Sequence, residues 1–112
     1  MDRLAAAGYA CRMSENEAED AGVLRHAAEI ARRLVLTRRA LGIEHQQDFG
    51  RAAGLSQSQY HHFESGKRRL SLEAALALCE TYGLSLDWLY RGDMNALPFR
   101  LANAIRELEG KS

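Results

Sequence analysis

The stretch "QQDFGRAAGLSQSQYHHFESGKRR", Gln46 to Arg69, decides how this chain folds. It is largely polar, yet it keeps Leu55, Tyr60 and Phe63 at intervals that suit one side of a short helix. Tyr60 and Phe63 are three positions apart, so a helix sets them on one face, and Leu55, just ahead of the cap, folds onto them. Ser56 has the chemistry of an N-cap, because its hydroxyl accepts from the free amides of the next turn. The spacing predicts a helix from about Gln57 to Glu64, stopped at Ser65-Gly66, where glycine takes the left-handed conformation. The opposite side carries Gln57, Ser58, His61 and His62, with Gln59 at its flank. These are amides, a hydroxyl and imidazoles, with no carboxylate. They donate and accept in one plane, which is what reading base edges in a major groove requires. Lys67, Arg68 and Arg69 follow at once, placed to meet a phosphate backbone. The plainer reading is an exposed polar helix face with a solvated basic turn.

The residues before this helix read as another short one, from about Gln46 to Ala53, closed by Gly54. Gly50 in its middle costs about 1 kcal/mol relative to alanine, so its presence points to a close helix–helix contact. Helix, the turn "AGLS" and helix together make a helix-turn-helix unit.

Upstream, Val23, Ala27, Ile30, Leu34 and Leu41 recur at three-, four- and seven-residue steps, predicting a helix from about Ala21 to near Gly42. Arg38 falls on the same stripe and needs a buried partner or a path to solvent. Downstream, Ser71 caps a fourth helix with Glu73 in its first turn. Its expected apolar face is Leu72, Ala75, Leu76, Cys79 and Tyr82, and Gly83 ends it. "SLDWLYRG" repeats the plan in miniature, with Ser85 as cap, Leu86, Trp88 and Leu89 inward, and a stop at Gly92. Pro98 opens a last helix striped by Leu97, Leu101, Ile105 and Leu108. The first twenty residues, with the acidic patch "SENEAED", read as a weakly ordered arm with a short helix around Leu4–Cys11, and Met13 is a second candidate for the natural start. No strand pattern, repeat or low-complexity tract occurs. The expected fold is all-α.

A chain of 112 residues suits one domain with an appended helix. Alanine and leucine dominate and there is one proline, a mixture that favours helix over sheet. The net charge is zero but unevenly spread. Residues 1–29 hold three arginines against six acids, a net of −3. Residues 30–70 hold eight basic residues against three acids, a net of +5, and residues 71–112 hold four against six, a net of −2. A basic middle between acidic ends is either a footprint for a polyanion or ordinary surface scatter. Cys11 and Cys79 match no disulfide framework or metal spacing. No apolar run approaches the roughly 18 residues of a membrane span, and no signal pattern opens the chain. A reduced cytoplasmic protein is expected.

Residues 30–93 resemble the Cro/repressor-type (Xre) helix-turn-helix family. The resemblance rests on "QQDFGRAAGLSQSQYHHFESGKRR" and on "LSLEAALALCETYGLSLDWLYRGD", Leu70 to Asp93. It implies a five-helix lambda-repressor-like domain that binds double-stranded DNA. By that resemblance Gln46 opens the second helix, touches a phosphate and buttresses the third. Gln57, Ser58 and His62 fall on positions that contact bases, with Gln59 and His61 beside them, and Lys67, Arg68 and Arg69 fall on the loop that grips the backbone. Glu64 matches a glutamate that pairs with an arginine of the first helix, here Arg38, which implies a largely buried Arg38–Glu64 ion pair. The chain departs from the family pattern in places. "GIEH" is one residue longer than usual, His45 replaces a threonine cap, Gly50 stands where alanine is usual, and Leu70 stands where proline is frequent.

The expected partition is an arm over 1–21, the DNA-binding domain over 22–94 and a C-terminal helix over 95–112. That last helix either packs on the domain or meets its twin in a homodimer on palindromic half-sites. The leading functional reading is a transcriptional repressor. A protein-interaction module, such as an antitoxin that also controls its own operon, is the alternative. Adjacent His61 and His62 point in different directions on a helix and have no third ligand nearby in sequence, so no metal is expected. Cys79 and Trp88 read as core residues. No nucleophile motif, acid pair or phosphate loop appears, so neither enzymatic activity nor a cofactor is expected.

Overall fold

A computed structural model describes residues 26–111, and every regular element among them is a helix. Six can be numbered: α1 over 26–40, α2 Gln46–Ala52, α3 Gln57–Glu64, α4 Leu72–Tyr82, α5 Asp87–Arg91 and α6 Phe99–Lys111. The all-α architecture is the one the sequence predicts. The N-terminal arm, its short helix and Cys11 lie outside the described residues.

One core joins all six helices. Ile30, Leu34 and Leu36 of α1 meet Phe49 of α2, Tyr60 and Phe63 of α3 and Leu78 of α4. Trp88 and Leu89 of α5 and Leu101 and Ile105 of α6 complete it. Removing such side chains from water is the main force assembling the domain, at about 1.5–3 kcal/mol for each large one.

Two contacts set the angle of α3. A Cβ built on Gly50 would lie 2.8 Å from Tyr60 Cβ and 2.9 Å from Tyr60 Cγ, closer than any real carbon would sit. The missing side chain lets α2 and α3 approach backbone to side chain, which offsets the helix cost of glycine. The Phe49 ring stands 5.4 Å from that of Tyr60 and stacks on Tyr82 at 4.4 Å, while Tyr82 O–H donates to Phe49 O at 2.7 Å. α2 is thereby held between α3 and α4. The turn between α2 and α3 is closed by Leu55 N–H donating to Gly50 O at 2.9 Å, with Gly54 at φ 83°.

Three expectations need correction. Leu41 is exposed, because α1 ends at residue 40 and Leu41 has left the helical stripe. Thr37 and Leu36 turn inward instead. On α4, Leu72 and Leu76 are 58% and 43% exposed, and the buried face is Ala74, Ala75 and Leu78, with Cys79 and Tyr82 half-buried. The third concerns α5, which is wound more widely than an α-helix, with Gly92 N–H reaching back to Asp87 O. Ser85 Oγ accepts from Trp88 N–H at 3.1 Å at its start. The wider turn lets buried Trp88 donate from Nε1 to Thr37 Oγ1 at 2.8 Å, and Thr37 O–H donates on to Arg33 O at 2.7 Å. Arg33 Nη1 in turn donates to Leu89 O at 3.1 Å, tying α1 to α5 a second time.

Leu97, Leu101 and Ile105 are buried in this same core, so the apolar stripe of α6 is occupied within the protomer. Arg32 Nη2 pairs with Glu109 Oε2 at 3.2 Å across the α1–α6 contact. No helix among the described residues is long and apolar enough to cross a membrane.

Candidate nucleic-acid interface

α3 begins where the sequence says it should. Ser56 Oγ accepts from Gln59 N–H at 3.1 Å, satisfying one of the free donors of the first turn. Tyr60 and Phe63 are buried. Gln57, Ser58, Gln59 and His61 are exposed, and His62 is half-exposed. Among the described residues, the helix thus has one buried side and one largely exposed side.

Arg38 secures the helix end. Its Nε and Nη2 donate to Glu64 Oε2 and Oε1 at 3.1 and 2.9 Å, a two-pronged pair whose side chains are only 11% and 6% exposed. Nη1 donates to Ile43 O at 3.1 Å and Glu44 O at 2.6 Å. One guanidinium therefore joins α1, the connection into α2 and the last turn of α3. Planar guanidinium geometry matches this set of acceptors, which a lysine could not serve. The Tyr60 hydroxyl lies buried nearby without a hydrogen-bond partner. Burial, and the Glu64 carboxylate close to it, push its ionisation far above the usual tyrosine range.

Gln46 opens α2 and is half-exposed. His45, in the N-cap position, gives no side-chain hydrogen bond, so the amides of this first turn are not capped by it. Gln46 Oε1 lies 3.0 Å from His61 Nδ1, a link between α2 and α3. A cleft between the two helices is lined by His45, Gln46, Gln47, Gln57, Ser58 and His61. His45 and Gln47 are cleft residues that reading by sequence position left out. Their adjacency to Gln46 was the available signal.

The basic loop is tethered at its start. Lys67 and Arg68 N–H donate to His62 O at 3.0 and 3.2 Å, Gly66 takes φ 80° beside Ala28, and Leu70 is buried beyond the loop. Lys67, Arg68 and Arg69 themselves are exposed. A second cleft runs from Ser58, Gln59 and His62 to Arg68 and Arg69. The polar side of α3 is accordingly flanked by Gln46 on one side and the cations on the other, a layout that suits a groove with phosphates on either edge. No group of three or more His, Cys, Asp or Glu side chains converges among the described residues.

Comparison with curated proteins and with solved structures returned no match. Residues 45–89 match the model of the helix-turn-helix family. This is a DNA-binding family rather than an enzyme family. The matched segment takes in α2, the turn, α3 and α4 and runs into α5, and so includes the two helices whose first turns line the cleft. Residues 45–89 are thus similar to the Cro/repressor-type helix-turn-helix, a motif of DNA-binding regulators.

Proposed function

We propose that this chain binds double-stranded DNA by sequence, with α3 in the major groove, and represses transcription by occupying promoters. Gln57, Ser58 and His62 meet base edges, Gln59 and His61 stand beside them, and Gln46 with Lys67, Arg68 and Arg69 holds phosphates. The supporting observation is the two-sidedness of α3: Tyr60 and Phe63 are buried, and the amide- and imidazole-bearing side is left without a carboxylate. We further propose residues 22–94 as the DNA-binding unit. A homodimer would place two copies of α3 about 34 Å apart, one helical turn of DNA. Since the apolar stripe of α6 is spent within the protomer, the dimer would use the outer side of residues 95–112 or the region of α5.

Selection of bound sites from random DNA tests this reading and returns the half-site and its symmetry together. Exchange of Gln57 and His62 for alanine should remove sequence preference while leaving non-specific affinity largely intact. With three loop cations per protomer, a dimer should lose roughly 10³-fold in affinity between 50 and 200 mM salt. Equal loss on all sequences in the double variant would count against base reading by these side chains. The alternative, a protein-interaction module, draws on exposed Leu72 and Leu76, one turn apart on α4. Binding of that kind would respond only weakly to salt.

A further inference from the structure

Gln46 and His61 lie on different helices, yet Gln46 Oε1 is 3.0 Å from His61 Nδ1. A side-chain carbonyl oxygen only accepts, so with the amide oxygen turned toward the ring, as here, the hydrogen belongs on Nδ1. A neutral imidazole has one N–H; held at Nδ1, it leaves Nε2 as a bare acceptor. His61 is exposed and shares its cleft with Gln57 and Ser58.

We propose that Gln46 and His61 act as one base-reading device, in which Gln46 selects the tautomer and His61 Nε2 accepts from an exocyclic amino group. The inference rests on the DNA-binding reading above and adds a chemical class of contact to it. In the major groove only adenine N6 and cytosine N4 offer such a donor. Guanine O6 and thymine O4 would set lone pair against lone pair, so neutral His61 discriminates against them. Protonation changes the rule. The charged ring keeps its Nδ1–H bond to Gln46 and gains an Nε2–H, which turns the reader from acceptor to donor. The preference at that position then moves toward guanine or thymine.

Imidazoles as a class change charge between pH 5 and 8, inside the range of DNA-binding assays. The charged or titratable groups around His61 are few. Arg38, Glu44 and His45 line the cleft, and His62 stands on α3 with its ring 6.2 Å away. Arg38 is already committed to Glu64 at 2.9 Å. His45 and His62 are imidazoles close to the same cleft, so the test varies His61 alone.

Nitrogen-15 spectra of the histidine-labelled protein, without DNA, should show the neutral His61 ring protonated at Nδ1, and Gln46→Ala should move it toward the other tautomer. A neutral ring protonated at Nε2 in the unmodified protein would overturn the inference whatever DNA it binds. Site selection at pH 8 should find one position per half-site restricted to adenine or cytosine on one strand. At pH 6 that restriction should weaken by roughly three- to tenfold, the worth of a single hydrogen bond. His61→Asn keeps an amide within reach of Gln46 but has nothing at the Nε2 position. It should lose selectivity at that position at both pH values and retain it elsewhere. A site that is the same at both pH values and unchanged in His61→Asn overturns the inference and leaves the DNA-binding reading intact. If no sequence is enriched at either pH, both fall together.

Discussion

α3 and α4 start alike and are buried by different rules. Each is capped by a serine whose hydroxyl accepts from the third residue of the helix, Gln59 at 3.1 Å and Ala74 at 3.2 Å. Each is followed by a glycine in the left-handed region, Gly66 and Gly83. α3 has only two large apolar residues, and both are buried. α4, "LEAALALCETY", is apolar on nearly every side, and two of its three leucines are exposed. Where apolar residues are scarce, their spacing leaves one way to turn the helix. Where they are abundant, several rotations bury similar area, and the neighbours choose among them.

That contrast can be broken or sharpened by substitution. The largest effect is expected at the point where α3 is held. Arg38→Met leaves the Glu64 carboxylate buried without its partner and frees two backbone carbonyls, and should cost about 3–5 kcal/mol in denaturant unfolding. An unchanged midpoint would mean that apolar packing alone positions α3. Next comes Leu78→Ala on the inner face of α4, where a fully buried leucine leaves a cavity; a loss of about 2–5 kcal/mol is expected.

A smaller effect, of opposite sign, is expected from Tyr60→Phe. The phenol is buried without a partner, so its removal should be neutral or stabilise by up to about 1 kcal/mol at pH 7. The pH dependence has a definite sign. The folded protein keeps the Tyr60 proton beyond the pH near 10 at which the unfolded chain releases it. Stability from this group is therefore complete below pH 10 and falls as pH rises further. Tyr60→Phe should lack that part of the alkaline loss when the two proteins are unfolded side by side. The smallest effect is expected at Leu76→Ala, where an exposed side chain should change stability by no more than about 0.5 kcal/mol. A large loss there would restore the α4 face expected from periodicity and remove the contrast with α3.

Among the described residues, the helix count, the caps at Ser56, Ser71 and Ser85 and the stop at Gly83 were legible in the residue order, because they depend on interactions spanning a few positions. So was the tight contact at Gly50, since a mid-helix glycine is costly unless something comes close. The periodic stripe failed at Leu41, one residue past the helix end, and at Leu72 and Leu76. The wide winding of α5 had no signal in its composition. It accompanies the Trp88 bond to Thr37, a residue far away in sequence.

The order of residues by itself determined where α3 and α4 begin and end and which side of α3 has any apolar anchor, because these are short-range matters of hydrogen-bond donors, glycine φ angles and scarcity. Only the tertiary structure decided which face of α4 turns inward, how Arg38 divides its donors between Glu64 and two carbonyls, and that Gln46 meets His61. Those outcomes depend on the distance between elements, which local pattern does not carry. They follow once the core closes and each buried or paired polar group has to find the partner within reach.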